Sequence, residues 1–475
     1  MSQPTTPVSS MMPFVVENPR LTVIGTGYLG TTHAICMAIL GYDVLGVDVD
    51  SRRVDALASG RVPFFEPGLP EKLREALDSG RLRFGTDIGE AAEWGDVHFV
   101  CVGTPQAKGS NAADLSCVEG AFTELSSRIT RRALIVGKST VPIGTAARLT
   151  ELVTSTSPAG TAVEVAWNPE FLREGFAVKD TLHPDRLVFG VASHWAEQQL
   201  RAAFRPILDD NTPLVVADLA TAELVKVAAN SFLATKISFI NAMAEICEVT
   251  GADVAVLSTA LGYDSRIGSR FLKPGLGFGG GCLPKDIRAF IHRAEELGVG
   301  QAVAFLKEVD RINLRRRTRT VDIIRELVGG NLDGIRVAAL GAAFKPNSDD
   351  IRDAPALDVS WMMRTEGAIV TVYDPEAGDN ARRAFGELHY ADSLAEAVAG
   401  ADVVALLTEW QEFRDADPDY LGALVKHRRI VDGRHALDAD DYRAKGWEYR
   451  ALGRPAQSHS VTLASDVRDE VLLPA

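Results

Sequence analysis

Leu21-Thr22-Val23-Ile24-Gly25-Thr26-Gly27-Tyr28-Leu29-Gly30, then an apolar run to Leu40, then Asp43-Val44-Leu45-Gly46-Val47-Asp48, is the stretch whose reading decides the fold. A β-rich run, glycines spaced G-x-G-x-x-G, a helix-length apolar segment and a second β-rich run give the strand, turn, helix, strand order of a dinucleotide-binding unit. Gly25 serves the tight turn, Gly27 the close approach of a pyrophosphate, and Gly30 the packing of helix on strand. The helix N-terminus faces the phosphates. Asp48 lies 18 residues beyond Gly30, where a carboxylate accepts hydrogen bonds from both ribose hydroxyls and repels a 2′-phosphate. NAD is therefore expected rather than NADP. The plainer alternative is a glycine-rich turn with an ordinary strand-end acid, and the register of strand, turn, helix, strand and acid weighs against it. Arg53, just beyond, reads as a solvated-face charge or a further cofactor contact.

Working outward, 475 residues exceed one ordinary core and imply two or three domains. A formal net charge of -14 repels phosphate polymers and anionic membrane faces, so neither nucleic acid nor a membrane is an expected partner. An anionic ligand would need a local basic pocket. Cysteines at 36, 101, 117, 247 and 282 are odd in number and contain no C-x-x-C pair, which disfavours a disulfide framework and a zinc site. No metal is expected, and a reducing cytoplasm fits best. The first eighteen residues hold no Lys or Arg ahead of an apolar stretch, and no run of about 18 uncharged apolar residues occurs, so neither a secretion signal nor a membrane span is expected.

The alternation continues through β-rich runs at 43–47, 97–102, 133–136 and 186–189, which predicts a mainly parallel, doubly wound sheet. From about Ala220 to Thr250 a long helix-forming stretch is apolar on more than one face, as for a helix buried between domains or subunits. A second α/β region starts near Arg336, with a helix after Pro355 and strands at 368–373, 403–407 and 429–431. There Gly341 is followed by Ala-Ala-Phe-Lys, so the dinucleotide fingerprint is missing. The expected fold is α/β: two Rossmann-like doubly wound parallel-sheet domains joined by a long central helix and a helical dimerisation region. The expected boundaries are a disordered tail 1–18, an NAD-binding domain 19–217, a central helical domain 218–317, a C-terminal Rossmann-like domain 318–454 and a disordered tail 455–475.

One cysteine stands apart. Gly275 to Arg288 reads G-L-G-F-G-G-G-C-L-P-K-D-I-R, with Pro284 suited to the first helical position and Ile287, Phe290, Ile291, Ala294 and Leu297 continuing a helical face. A helix N-terminus with Lys285 beside it favours the Cys282 thiolate, hence a nucleophile. Asp286, four residues on, can project into the same site. The glycines would let the backbone approach a ligand without Cβ obstruction. A lone cysteine near a helix start is otherwise a small buried hydrophobe.

Several blocks, in order, carry a resemblance: G-T-G-Y-L-G at 25, F-F-E-P-G-L at 64, V-C-V-G-T-P at 100, K-S-T-V-P-I-G-T at 138, N-P-E-F-L-R-E-G at 168, K-V-A-A-N at 226, G-F-G-G-G-C-L-P-K-D at 277, A-F-K-P-N-S-D-D-I-R-D at 343 and D-G-R at 432. Over roughly residues 20 to 450 the chain resembles the UDP-glucose and GDP-mannose dehydrogenase family. The resemblance implies oxidation of the C6 primary alcohol of a nucleotide-linked hexose to a carboxylate, with two NAD and one water. It implies a thiohemiacetal and then a thioester on Cys282, with Lys226 and Asn230 stabilising the tetrahedral oxyanions, Glu170 helping to activate the hydrolytic water, and Thr140 and Asp286 supporting a bound water. Asp286 is also a candidate base, and whether the alcohol proton passes to Lys226 or to a water on Asp286 stays open. Gly25, Gly27, Tyr28, Leu29, Gly30, Asp48, Arg53, Thr104, Thr140, Glu174, Lys285 and Arg352 match cofactor positions. A UDP-sugar pyrophosphate would meet Lys273, Lys345 and Arg434, with Arg266 reaching across a homodimer interface. Glu170, Phe171, Leu172, Lys226, Asn230, Phe271, Leu272, Gly275, Phe278 and Gly279 complete the implied sugar and base pocket, although apolar residues at such spacings also serve as plain core.

The chemistry explains these residue types. Hydride removal from an alcohol needs a base for the hydroxyl proton, and the aldehyde must be trapped before a second hydride can leave. Each tetrahedral species develops negative charge on oxygen, which a cation and a hydrogen-bond donor stabilise. Two departures from the family pattern are Gly281, where many relatives carry Ser, and Ala342, where Leu or Met is usual. The run Arg266-Ile267-Gly268 followed by F-L-K-P-G points to the UDP-glucose branch, with GDP-mannose or another UDP-hexose as alternatives. A one-step hydroxyacid dehydrogenase would need no thiol. An inactive nucleotide-sugar-binding protein would be expected to have lost Cys282, Lys226, Asn230 or Asp286, and all four are present.

Overall fold

The computed structural model describes residues 15–455; the two expected tails fall mainly on 1–14 and 456–475, outside the described residues. The chain divides into two compact units, one of residues 15–105 and 113–226, the other of 106–112 and 227–455. In the first, strands β1 (Leu21–Ile24), β2 (Val44–Val47), β3 (Leu82–Gly85), β4 (Val97–Val100), β5 (Ala133–Gly137), β6 (Val163–Trp167), β7 (Leu187–Gly190) and β8 (Leu214–Ala217) form one sheet in the order β3-β2-β1-β4-β5-β6-β7-β8. β1 to β6 are parallel, and β7 joins antiparallel through the pair Trp167 and Gly190. Every residue of β1, β2, β4 and β5 is buried, because helices cover both faces; this is why these strands read as continuous apolar runs without alternation. The chain reverses strand order between β1 and β4, and ligands of such sheets bind outside the strand ends at that point.

The second unit holds β9 (Arg336–Leu340), β10 (Ile369–Tyr373), β11 (His389–Tyr390), β12 (Val403–Leu406), β13 (Arg429–Asp432) and β14 (Glu448–Ala451), all parallel in the order β11-β10-β9-β12-β13-β14. It repeats the winding of the first sheet without its glycine fingerprint. At the end of β10 stands Asp374, placed as Asp48 is at the end of β2, yet Asp374 accepts the Ala342 and Ala343 N–H groups (2.7 and 2.9 Å) and the Trp410 indole N–H (3.0 Å). Trp410 is itself buried, in the core of the second unit.

The long helix spans Leu219–Thr250, about 48 Å at 1.5 Å per residue, and the division between the units falls in its second turn. In the second unit it packs beside the helices Leu283–Glu296 and Phe305–Leu327 over two small apolar clusters, one around Ala234, Ile287 and Leu306, the other around Ile240, Ala244 and Leu272. None of the described helices is long and apolar enough to cross a membrane.

Candidate active site

The fingerprint loop is built as the three glycine roles require. A Cβ on Gly25 (φ +88°) would meet Val102 at 2.7 Å, and one on Gly30 would lie 1.9 Å from the Gly25 carbonyl oxygen, so only hydrogen fits where helix meets strand. A Cβ on Gly27 would meet nothing within 4 Å, which leaves open space over the first turn of the helix Tyr28–Ile39. Gly27 caps that helix with no side-chain hydrogen bond, so its leading N–H groups are offered outward. Asp48 accepts from the Thr26 N–H (2.7 Å) and hydroxyl (3.1 Å), the Asp50 N–H (3.0 Å) and the Arg53 guanidinium (2.9 Å). Burial opposes its charge, but these donors outweigh it and hold the carboxyl below its usual range. Arg53 is thus a partner of Asp48 rather than only a solvated charge. Open space, uncapped N–H groups and a fixed anionic acceptor fit a dinucleotide.

Also in the first unit, Thr104 donates to the Thr140 carbonyl (2.9 Å), joining the loops that leave β4 and β5. Glu170 follows β6. One oxygen accepts the N–H groups of Phe171 (2.7 Å) and Leu172 (2.9 Å), and the other lies 3.0 Å from the Lys138 ammonium. Lys226 sits 5.3 Å from the centre of the Phe171 ring, and the Arg186 guanidinium lies 3.9 Å from it. Lys226, far from Glu170 and Phe171 in sequence, therefore shares their neighbourhood. Burial pushes the Glu170 carboxyl upward, but Lys138, the Phe171 N–H and Lys226 together hold it below the usual carboxylate range. Glu174 and Tyr28 approach each other as well: burial first, then Glu66 and Glu174, raise the Tyr28 phenol well above its ordinary value.

In the second unit Cys282 is exposed, not buried as a structural cysteine would be. It is the N-cap of the helix Leu283–Glu296, which starts one residue earlier than Pro284 suggests. Asp286, only 2% exposed, returns its N–H to the Cys282 carbonyl (3.0 Å), and its carboxylate takes Asn230 Nδ2 at 2.7 Å and Lys285 Nζ at 2.6 Å. The resemblance gives Lys285 to the cofactor; here its ammonium is on Asp286.

The glycines before Cys282 pack closely against protein: a Cβ on Gly279 would meet the Asp353 carbonyl at 2.2 Å, on Gly280 the Phe344 ring at 2.7 Å, and on Gly281 the Arg352 guanidinium at 2.3 Å. Gly275 would meet the Gly433 carbonyl at 2.7 Å. The loop is tied at both flanks, by Gly275 N–H to Asn241 (2.9 Å), Leu276 N–H to the Gly433 carbonyl (3.0 Å), Phe278 to Asn313 in both directions (2.7 and 2.9 Å) and Gly280 N–H to the Arg352 carbonyl (2.9 Å). Arg434 spends three donor nitrogens on the carbonyls of Leu407, Gly277 and Phe344 (2.8, 3.0 and 3.2 Å), so it fastens the same loop.

Other expected substrate residues divide. The side chains of Leu272 and Phe278 are packed in apolar clusters, where burial stabilises an aliphatic or aromatic group. Leu172 is half-buried beside Glu170, and Lys273 is exposed. Phe271 holds φ +63°, a strained conformation for a residue with a Cβ, at the turn into that loop. Lys345 lies 5.4 Å over the Phe344 ring. Arg352 is paired with Asp350 at 2.7 Å and Arg266 with Asp264 at 2.6 Å, the latter arginine side chain 87% exposed.

Sequence reading misses two buried side chains that hold the Glu170 segment. Glu66 accepts the N–H groups of Gly175 (2.6 Å) and Ala177 (2.7 Å) and the Tyr28 hydroxyl, so the block at 64 anchors the block at 168. Lys138 bridges Glu170 and Asn168. Both lie inside the motif blocks that begin at 64 and 138, and a charged residue in otherwise apolar surroundings is the available signal.

Three family models match the chain in order: the NAD binding domain of the UDP-glucose/GDP-mannose dehydrogenase family over residues 19–208, its central domain over 220–315 and its UDP binding domain over 338–439. The chain is 40% identical over 438 residues to the UDP-glucose 6-dehydrogenase of Rhizobium meliloti, covering 92% of this chain and 100% of that protein. To the enzyme of that name from Pseudomonas aeruginosa it is 38% identical over 449 residues, covering 93% and 98%. Among solved structures, a UDP-glucose dehydrogenase from Pyrobaculum islandicum superposes with TM-score 0.85 at 36% identity over 95% of this chain and 100% of that one. A UDP-D-ManNAc dehydrogenase from Pyrococcus horikoshii gives TM-score 0.80 at 28% identity, covering 92% and 99%. With an exposed helix-capping cysteine, a dinucleotide cradle and matches across all three of its domains, this chain belongs to the UDP-glucose/GDP-mannose dehydrogenase family and is an NAD-dependent oxidoreductase.

Proposed function

We propose that the protein oxidises UDP-glucose to UDP-glucuronate in two steps through Cys282. The observation that carries this reading is the exposed Cys282 at the start of a helix whose buried Asp286 is bonded to Asn230, in a chain 40% identical to a UDP-glucose 6-dehydrogenase. NAD, when bound, accepts a hydride at each oxidation. The Cys282 thiolate adds to the C6 aldehyde, giving a thiohemiacetal whose oxidation leaves a thioester, and water releases the carboxylate and restores the thiol. Asn230 has its amide oriented by Asp286 and is proposed to donate to the tetrahedral oxygen, with Lys226 as the cation for the same charge. Thr140, Glu170 and Asp286 are proposed to order the water. Lys273, Lys345 and Arg434 are proposed to meet the pyrophosphate.

Purified protein with NAD and a panel of UDP- and GDP-sugars tests the reading. About two NADH per UDP-glucose are expected from the thioester route. One per sugar would indicate a simple dehydrogenase, another preferred sugar would replace the substrate, and none with any sugar would leave only a binding protein. Asp48 is proposed to hold the ribose hydroxyls. Asp48→Ala is expected to weaken NAD binding roughly tenfold in a fluorescence titration, the loss of a hydrogen bond to a charged group, while UDP-glucose binding is unchanged. An unaltered NAD affinity would remove the ribose assignment.

A homodimer is proposed as the assembly. Phe232, Phe239 and Ile246, spaced by seven along the long helix, remain 66%, 49% and 52% exposed, an apolar row that a second copy would cover. Five cysteines with no disulfide among the described residues suit the reducing cytoplasm proposed as its compartment.

A further inference from the structure

Arg288, Asp310, Arg317 and Asp353 form a chain of charges that the proposed reaction does not use. Arg288 stands on the helix that Cys282 caps; its guanidinium meets Asp310 through two nitrogens, each at 3.1 Å, and Asp353 Oδ2 at 3.2 Å. The other Asp353 oxygen lies 2.8 Å from Arg317 Nη2. Arg317 is buried on the helix Phe305–Leu327, where the same nitrogen donates to the Phe278 carbonyl (3.2 Å) and the other terminal nitrogen pairs with Asp358. One turn earlier on that face, Asn313 holds both polar backbone atoms of Phe278 (2.7 and 2.9 Å). Asp353 thus joins the segment just before Cys282 to the helix just after it. Its main chain bears on the same segment, for Asp353 holds φ +47° and its carbonyl stands 2.2 Å from where a Gly279 Cβ would be.

We infer that Asp353 is a positioning residue for Cys282: its carboxylate ties the nucleophile's loop to the nucleophile's helix, through Arg317 on one side and Arg288 on the other. This deepens the proposed function and rests on it for the role of Cys282. Electrostatics explains why a carboxylate is needed there. Two guanidiniums hold successive carbonyls of the loop, Arg434 that of Gly277 and Arg317 that of Phe278. Burial first, and then the like charge of Arg317, hold the Arg434 guanidinium below its ordinary value, with Glu409 and Asp432 opposing. Asp353 and Asp358 supply Arg317 with counter-charge. An asparagine at 353 would keep the shape of the side chain while leaving a buried guanidinium short of its partner, which is costly and would be relieved by movement of the loop.

Hydrogen–deuterium exchange on the full chain reads the positioning without turnover. In Asp353→Asn, amide exchange within 278–282 is expected to rise about tenfold, as bonds to a charged group are weakened, while the sheet of the second unit exchanges as before. Asp353→Glu keeps the charge and should stay near the unaltered rate. Arg288→Met, which cuts the arm to the helix at a half-buried site, should give the same rise and serves if Asp353→Asn does not fold. The catalytic consequence is a change of partition. A thiol displaced by about an ångström adds poorly to the aldehyde, so Asp353→Asn should form UDP-glucuronate about 10²-fold more slowly at unchanged KM for UDP-glucose. Aldehyde should then escape, trapped as a hydrazone and identified by mass spectrometry, and NADH per UDP-glucuronate should exceed the ~2 of the thioester route. Exchange within 278–282 equal to that of the unaltered protein would overturn the inference. So would a slower enzyme whose ratio of NADH to UDP-glucuronate is unchanged, which is what a merely structural carboxylate would give. Failure of the Cys282 reading would be seen separately, as absence of NADH from UDP-glucose in the unaltered protein, and the exchange result does not depend on it.

Discussion

Cys282→Ser is expected to lower steady-state NADH formation from UDP-glucose by about 10³-fold or more, with the affinity for UDP-glucose unchanged. A helix N-terminus stabilises a thiolate near neutral pH, but the same field is far too weak to ionise a serine hydroxyl to a useful extent. The mutant should therefore stall after the first oxidation, or pass slowly to an oxygen ester that water attacks reluctantly. Rapid quenching with mass spectrometry distinguishes these outcomes: at most one oxidised sugar per site, free as aldehyde or attached to Ser. The exposed position of Cys282 makes the substitution structurally mild, so lost activity with retained folding and binding reports on chemistry. Unchanged turnover would end the covalent route.

Lys226→Met should lower kcat about 10² to 10³-fold, the usual consequence of removing one charged stabiliser of a developing oxyanion. Methionine preserves the length and the apolar contact with the Phe171 ring, from which the ammonium is now 5.3 Å away, and removes only the charge. A fall in kcat with little change in KM for UDP-glucose is expected, since the interaction strengthens only as charge builds on oxygen. A raised KM at constant kcat would instead make Lys226 a ground-state contact.

Much of the fold is legible in the amino-acid sequence. The first sheet can be read from 21–48 because strand, turn, helix and acid are local in sequence, and buried parallel strands announce themselves as apolar runs. Other strands escape such a reading for a physical reason: β6 (V-E-V-A-W) and β14 (E-Y-R-A) carry charges and β8 lies on the sheet edge with half its residues exposed, so each lacks the continuous run. Motifs name the candidate residues but not their partners. Nothing in the sequence says that Asp286 takes Asn230, or that Arg434 spends its donors on backbone carbonyls, because such pairs join segments dozens of residues apart. The glycines before the cysteine show the same limit: composition reveals an absent Cβ, but not which protein atoms stand in its place.

That run gives the nucleophile an unusual kind of specification. The sulfur is located by missing atoms, since a single methyl group at 279, 280 or 281 would have to displace the Asp353 carbonyl, the Phe344 ring or the Arg352 guanidinium. Alanine scanning, ordinarily a subtraction, becomes an addition there. At 281 a mobile guanidinium can swing aside, whereas at 279 the obstacle is main chain, so tolerance to a one-carbon insertion should decline with distance from the cysteine rather than rise.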